Sequence, residues 1–285
     1  MRVGFVHQLL WDRYGEFWQL LVADAEAEVR RATPELIGSA VSDPRIAQIP
    51  SVAFRLAAAE ALALQHTDLL IVPHLNPRSE SNRGGGQDPW IASFPEMLAQ
   101  TVSGLPQILG VPATLSEDIE SIAVKTLYQL CRDHAKVRRI WDRYRSSSKP
   151  VRATQPSRLS QPSKQPIIAV LSQPWLLCKA LSRALPWRDE HLVFQNQFDP
   201  ASLRKEGWRI DSRLIATDSE VIGATRLFAR RGGVGELRMI IDGASGADMW
   251  LAKQVTKASH KPVSIYTLQS LFRDDDLNDI LLRST

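Results

Sequence analysis

Apolar side chains along this chain gather into short continuous runs, and between the runs they recur at helical spacing. "RVGFVH" (2–7) reads as a strand, followed by an amphipathic helix over 16–29 with Phe17, Leu20, Leu21, Ala25 and Val29 on one face. A helix over 51–65 leads to the strand "DLLIVPHL" (68–75), a helix around "FPEMLAQTV" and the strand "QILGVPA" (107–113). One long helix is expected from "TLSE" to Tyr144. Thr114 and Glu117 have capping-box spacing, Ile119 to Trp141 form an apolar stripe, and His134 on that stripe reads as a packed or hydrogen-bonded core histidine. Past residue 166 the rhythm repeats. The strands are "IIAVLSQ" (167–173), "HLVFQN" (191–196), "ELRMIIDGA" (236–244) and "PVSIYTL" (262–268), alternating with helices at "LLCKALSRAL", "PASLRKEG", "SEVIGATRLFARRG" and "GADMWLAKQVTKASH". Short, nearly continuous apolar strands alternating with helices indicate parallel sheets covered on both faces. The expected fold is therefore α/β, with two Rossmann-like domains, parallel sheets and a ligand cleft between them. The domains are placed at 1–145 and 167–285, joined by a linker at 146–166.

Composition sharpens this picture. With 285 residues, 44% of them hydrophobic, the chain can bury two ordinary cores. No apolar run approaches the roughly 20 residues of a membrane span. The first residues reach Asp12 without a long apolar core or a cleavage site, so a cytoplasmic protein is expected. The net charge of +4 comes from "RSSSKPVRATQPSRLSQPSKQP" (145–166), which holds Arg145, Lys149, Arg152, Arg158 and Lys164 and no acid. Its Ser, Pro and Gln content suits a solvated linker. Without interleaved aromatics or a recognition motif, nucleic acid is not an expected partner. The two cysteines, Cys131 and Cys178, lack the spacing of a zinc site or a disulfide framework and read as buried small hydrophobes. Trp11, Tyr14 and Trp18 read as exposed aromatics at a domain or subunit contact, although Trp18 beside Phe17 also suits a core; the oligomeric state stays open.

Ligands in such sheets bind beyond the carboxyl ends of strands, so the loops after Val72, Ser172 and Ile241 carry the candidate chemistry. The first contains "NRGGGQDPW", which is neither GxGxxG nor a P-loop. The turn "DGASGAD", with two glycines opening a helix, would suit a diphosphate, so a sugar-nucleotide-binding transferase is one alternative.

A succession of segments also resembles the 2-hydroxyacyl-CoA dehydratase family, of the D-component or activase-associated type. These segments are "VGFVHQLLWDRYGEFWQLL", "SVAFR", "DLLIVPHL", "GQDPWIASFPEML", "IIAVLSQPWLL" and "IIDGASGADMW", in the family's order and dispersed over most of the chain. In that family three cysteines hold a 4Fe–4S cluster that delivers one electron to an acyl-CoA thioester. The resemblance places Ser51, Asp88 and Ser245 at those three positions, so none of the ligand thiolates remains. Serine hydroxyls and a carboxylate replace thiolate sulfur poorly. The resemblance thus implies a non-redox binding, scaffold or regulatory subunit without a cofactor. Its implied partners are an iron–sulfur paralogue, an activating ATPase or an acyl-CoA, in a homo- or hetero-oligomer. The alternative is an enzyme with non-redox chemistry on an acyl-CoA or sugar nucleotide, in which Asp88 acts as general base or hard-metal ligand with His7, His74 or Arg55 nearby. The candidate ligand-binding residues are Ser51, Arg55, His74, Asp88, Gln173, Trp175, Ser245 and Gly246, with Asp88 the candidate catalytic residue. Plain structural roles compete: Asp88 before Pro89 suits a turn, and Ser245 suits a helix cap.

Overall fold

The structure is a computed structural model. It describes residues 1–75, 88–115, 119–149, 166–177, 179–187, 191–273 and 280. The glycine loop after residue 75, Glu117 of the expected capping box, Cys178 and most of the basic linker lie outside the described residues. The described residues divide into two compact units. Residues 1–75 and 89–149 belong to the first; Asp88 and the residues from 166 to 273 belong to the second.

In the first unit the chain runs β1 (Arg2–Phe5), α1 (Trp11–Asp24), β2 (Glu28–Arg30), α2 (Pro34–Val41), α3 (Pro44–Ala47), α4 (Val52–Ala63) and β3 (Leu69–His74). It continues through α5 (Pro89–Ala92), α6 (Phe94–Thr101), β4 (Gln107–Pro112), α7 (Glu120–Leu130) and α8 (His134–Tyr144). The four strands are all parallel, in the order β2-β1-β3-β4. Thr33, Asp43, Ser51 and Asp133 start their helices by accepting a backbone N–H. α4 is buried along nearly its whole length, as its run of Ala and Leu requires.

Several expectations in this unit are corrected. Val29 lies in strand β2, because α1 starts early at Trp11 and stops at Asp24. The long helix is two helices, since Cys131 takes an extended conformation and Asp133 opens a new N-terminus with its side chain. His134 therefore falls in an exposed first turn, where its Nδ1 pairs with the Tyr128 hydroxyl at 2.8 Å, and Cys131 is half-buried. Tyr14 and Trp18 are buried in the core, and Trp11 is half-buried.

The second unit repeats the plan with β5 (Ile167–Ser172), α9 (Lys179–Ala184), β6 (Leu192–Phe194), α10 (Pro200–Trp208), α11 (Ala216–Ala229), β7 (Val234–Ile241), α12 (Gly246–Ala258), β8 (Val263–Thr267) and α13 (Leu268–Leu271). Its order, β6-β5-β7-β8, is again all parallel. The core joins Ala169 and Leu171 of β5, Leu237 and Met239 of β7, and Phe198, Val221, Phe228 and Leu251. Helices α10 and α11 cross in backbone contact. A Cβ on Gly223 would lie 1.9 Å from the Leu203 carbonyl oxygen, and one on Gly207 2.0 Å from that of Ser219. This crossing fixes the first turn of α11, which holds Thr217 and Asp218. Among the described residues no helix is long and apolar enough to cross a membrane.

In each unit the second strand in sequence lies on one side of the first and the third on the other. The carboxyl ends of β1 and β3, and of β5 and β7, are therefore the topological switch points where open α/β sheets bind ligands.

Candidate functional site

At the switch point of the second unit the chain places a cluster of acids. Gln173 follows β5 directly, is fully buried, and donates its Nε2 to Asp218 Oδ1 at 2.9 Å. Asp242 follows β7, and its backbone N–H donates to Asp248 Oδ2 at 2.8 Å. Asp242 Oδ1 accepts from the Ala244 N–H and from Gln269 Nε2. Ser245 caps α12: its Oγ accepts the Asp248 N–H at 3.1 Å and donates to Asp88 Oδ2 at 2.7 Å. The other Asp88 oxygen accepts the Ala247 N–H at 3.4 Å. The Asp88 carboxylate thus occupies the N-terminus of α12, where the helix dipole and free N–H groups favour an anion.

Electrostatics divides these acids. Burial pushes the Asp248 carboxyl up to about 8, and the charges of Asp242, Asp218 and Asp88 push in the same direction. At neutral pH Asp248 therefore holds a proton. Burial likewise raises Asp218 to about 6, against the lowering effect of the Gln173 hydrogen bond. Gln173 Oε1 and Thr217 Oγ1 are buried without a hydrogen-bond partner among the described residues. The cluster can hold a proton at Asp248 and offer unpaired polar atoms beside it. Among the described residues no group of three His, Cys, Asp or Glu side chains is arranged to hold a metal ion.

The residues named from sequence distribute as follows. Asp88, Ser245 and Gly246 come together, with Asp88 Oδ1 3.7 Å from where a Cβ on Gly246 would stand. Gln173 joins the same acids through Asp218, and Trp175 lies half-buried in the turn after β5. Ser51, Arg55 and His74 belong to the first unit. Ser51 is buried as the cap of α4, with its Oγ accepting the Phe54 N–H, and Arg55 follows one turn later with its Nε buried and unpartnered among the described residues. His74 ends β3 and lines a groove of about 480 Å³ with Pro95, Glu96, Ile108 and Gly110. Its pKa is lowered by burial, which the Glu96 charge opposes.

Asp218, Asp242 and Asp248 were not singled out from sequence. The two acids in "IIDGASGADMW" stood in plain view, but that segment reads, by its glycines, as a turn suited to a diphosphate, and nothing local marks an acid in the first turn of α11 as buried.

The donor set does not fit an iron–sulfur cluster. Ser51 and Ser245 spend their hydroxyl oxygens on helix caps, Ser245 is also committed to Asp88, and none of the three positions offers sulfur. Cys131 sits at the end of α7 in the first unit.

No family model matches this chain, and no curated protein matches it. Among solved structures, the glycosyltransferase SnogD from Streptomyces nogalater aligns over 100% of this chain and 94% of its own, at 15% identity and a TM-score of 0.23. A likeness that slight carries no argument about fold or activity.

Proposed function

We propose that this protein is a cluster-free relative of the 2-hydroxyacyl-CoA dehydratases that binds an acyl-CoA without redox chemistry, as a binding or regulatory subunit. The observation that carries the reading is the hydrogen bond between Asp88 and Ser245. The resemblance assigns both residues to cluster-ligand positions 157 residues apart, and positions that share a cofactor must converge. At 2.7 Å they do, with a carboxylate and a hydroxyl where thiolates would stand. The acids disfavour a phosphate at this end of the sheet, so the group expected here is the uncharged acyl end of the ligand. The same feature counts against a sugar diphosphate at "DGASGAD", because Asp88 and Ser245 already take two of the helix N–H groups. An iron–sulfur paralogue or an activating ATPase is the partner this reading proposes.

The test is calorimetric titration with acetyl-CoA. Saturable binding is expected, weakened about tenfold in Gln173→Ala or Ser245→Ala, as for loss of one hydrogen bond in a dry site. Absent binding, or binding indifferent to both substitutions, would sink the reading.

A second reading rests on Asp248. A carboxyl that burial raises to about 8, and that therefore holds its proton at neutral pH, is suited to act as a general acid. That reading makes the site one of non-redox catalysis, with Asp88 as the complementary base.

A further inference from the structure

The carboxyl end of β1 carries an arrangement that the acyl-CoA reading leaves unused. Glu60 is a lone acid among the Ala and Leu residues of α4 and is fully buried. Its Oε2 accepts the backbone N–H of His7 at 2.8 Å and of Gln8 at 3.1 Å, and its Oε1 lies 2.9 Å from His7 Nδ1. A carboxylate already accepting two N–H groups is an acceptor toward the ring as well. We therefore assign the hydrogen to Nδ1, which leaves a lone pair on Nε2.

Trp11 packs against the ring in addition to the Glu60 contact. The Trp11 indole lies 4.2 Å from the imidazole, centroid to centroid. It can lie there because residue 15 is glycine: a Cβ on Gly15 would stand 2.1 Å from the indole. Leu9 and Leu10 follow in the left-handed region, at φ 63° and 74°. That conformation costs a branched residue on the order of 1–2 kcal/mol, so the fold keeps this loop against local strain. His7 is only 8% exposed, yet its Nε2 has no partner among the described residues, and neither has the buried Nε2 of Gln8, the following residue in the chain. A histidine that served packing alone would be expected to satisfy both ring nitrogens.

We infer that His7 is a proton acceptor whose Nε2 receives a hydroxyl group, from a ligand alcohol or from water, with Glu60 and Trp11 as its positioning residues. A hydroxyl donates to the lone pair and keeps its own oxygen free to accept from another donor. The buried Glu60 carboxylate disfavours an anion, and a metal ion would need further ligands, which no group of three side chains supplies among the described residues. In the transfer the O–H bond breaks, the proton goes to Nε2, and the electron pair stays on oxygen. The imidazolium that forms is stabilised by Glu60 through Nδ1–H.

The test is long-range proton–nitrogen NMR on the full chain with labelled histidine, using 1-propanol as the alcohol probe. His7 is expected in the Nδ1–H form. A saturable Nε2 shift with propanol assigns the site to a ligand alcohol; a long-lived water beside the ring, without a propanol response, assigns it to water. Either response should weaken about tenfold in Glu60→Gln, as for loss of a charge-assisted hydrogen bond. Should that variant fail to fold, Trp11→Phe is expected to weaken the response in the same direction. A proton on Nε2 in the neutral ring, or no response to either oxygen source, overturns the inference. The readout is the His7 ring itself, with propanol or water and without acetyl-CoA, so this result and the acetyl-CoA titration fail independently.

Discussion

Replacing Asp248 with Asn should change how stability depends on pH. The ordinary carboxyl value is 3.8, and in the fold Asp248 rises to about 8. Below pH ~4 both the folded and the unfolded chain hold this proton, and it costs nothing. As pH rises from there, the unfolded state releases a proton that the folded state keeps, so stability falls by up to ~1.4 kcal/mol per pH unit. Above pH ~8 the loss is complete, on the order of 5 kcal/mol for a buried group. Asp248→Asn keeps an oxygen to accept the Asp242 N–H and removes the titration. The variant should therefore gain on the wild-type protein by about 3 kcal/mol between pH 5 and pH 7. Urea denaturation followed by circular dichroism across that range measures the difference. Asp218, which titrates near 6, contributes a slope common to both proteins. Parallel curves, with Asp248→Asn offset equally at every pH, would mean that Asp248 is ionised in the fold and would refute the proposed proton-holding site.

Other outcomes can be checked in the same assay. Gly223→Ala pushes a methyl group into the Leu203 carbonyl and should destabilise by about 3 kcal/mol. Ser245→Ala removes the cap of α12 and the donor to Asp88, and should cost about 1–2 kcal/mol. Glu60→Ala strands two backbone N–H groups and a ring nitrogen in the core, for a loss of about 3 kcal/mol or more. If Glu60→Ala were neutral, the carboxylate would not be holding the loop.

Much of the α/β plan was legible because buried parallel strands write themselves as continuous apolar runs. "DLLIVPHL" and "IIAVLSQ" gave β3 and β5 to within two residues at either end. The break between α7 and α8 was hidden because the apolar stripe stays in phase across Cys131 to Asp133, and only the capping bond of Asp133 marks a new helix. β2 was missed because its three residues, Glu28 to Arg30, lie at a sheet edge with little burial to pattern them. Two of the candidate residues, Asp88 and Ser245, proved to be hydrogen-bonded, a contact that no local spacing could state. Glu60 left a trace: a single acid inside "LAAAEALAL" must be either exposed or paired in the core. Asp248 left none, because its raised pKa comes from burial and from neighbours brought together by the fold.

The proposed function requires that Ser51, Asp88 and Ser245, which the resemblance assigns to cluster-ligand positions, hold no cluster. Iron and acid-labile sulfide, measured with the visible spectrum after anaerobic reconstitution of the full chain, test it most directly. The account predicts a folded, colourless protein without stoichiometric iron or sulfide; a stoichiometric cluster with charge-transfer absorption would contradict it.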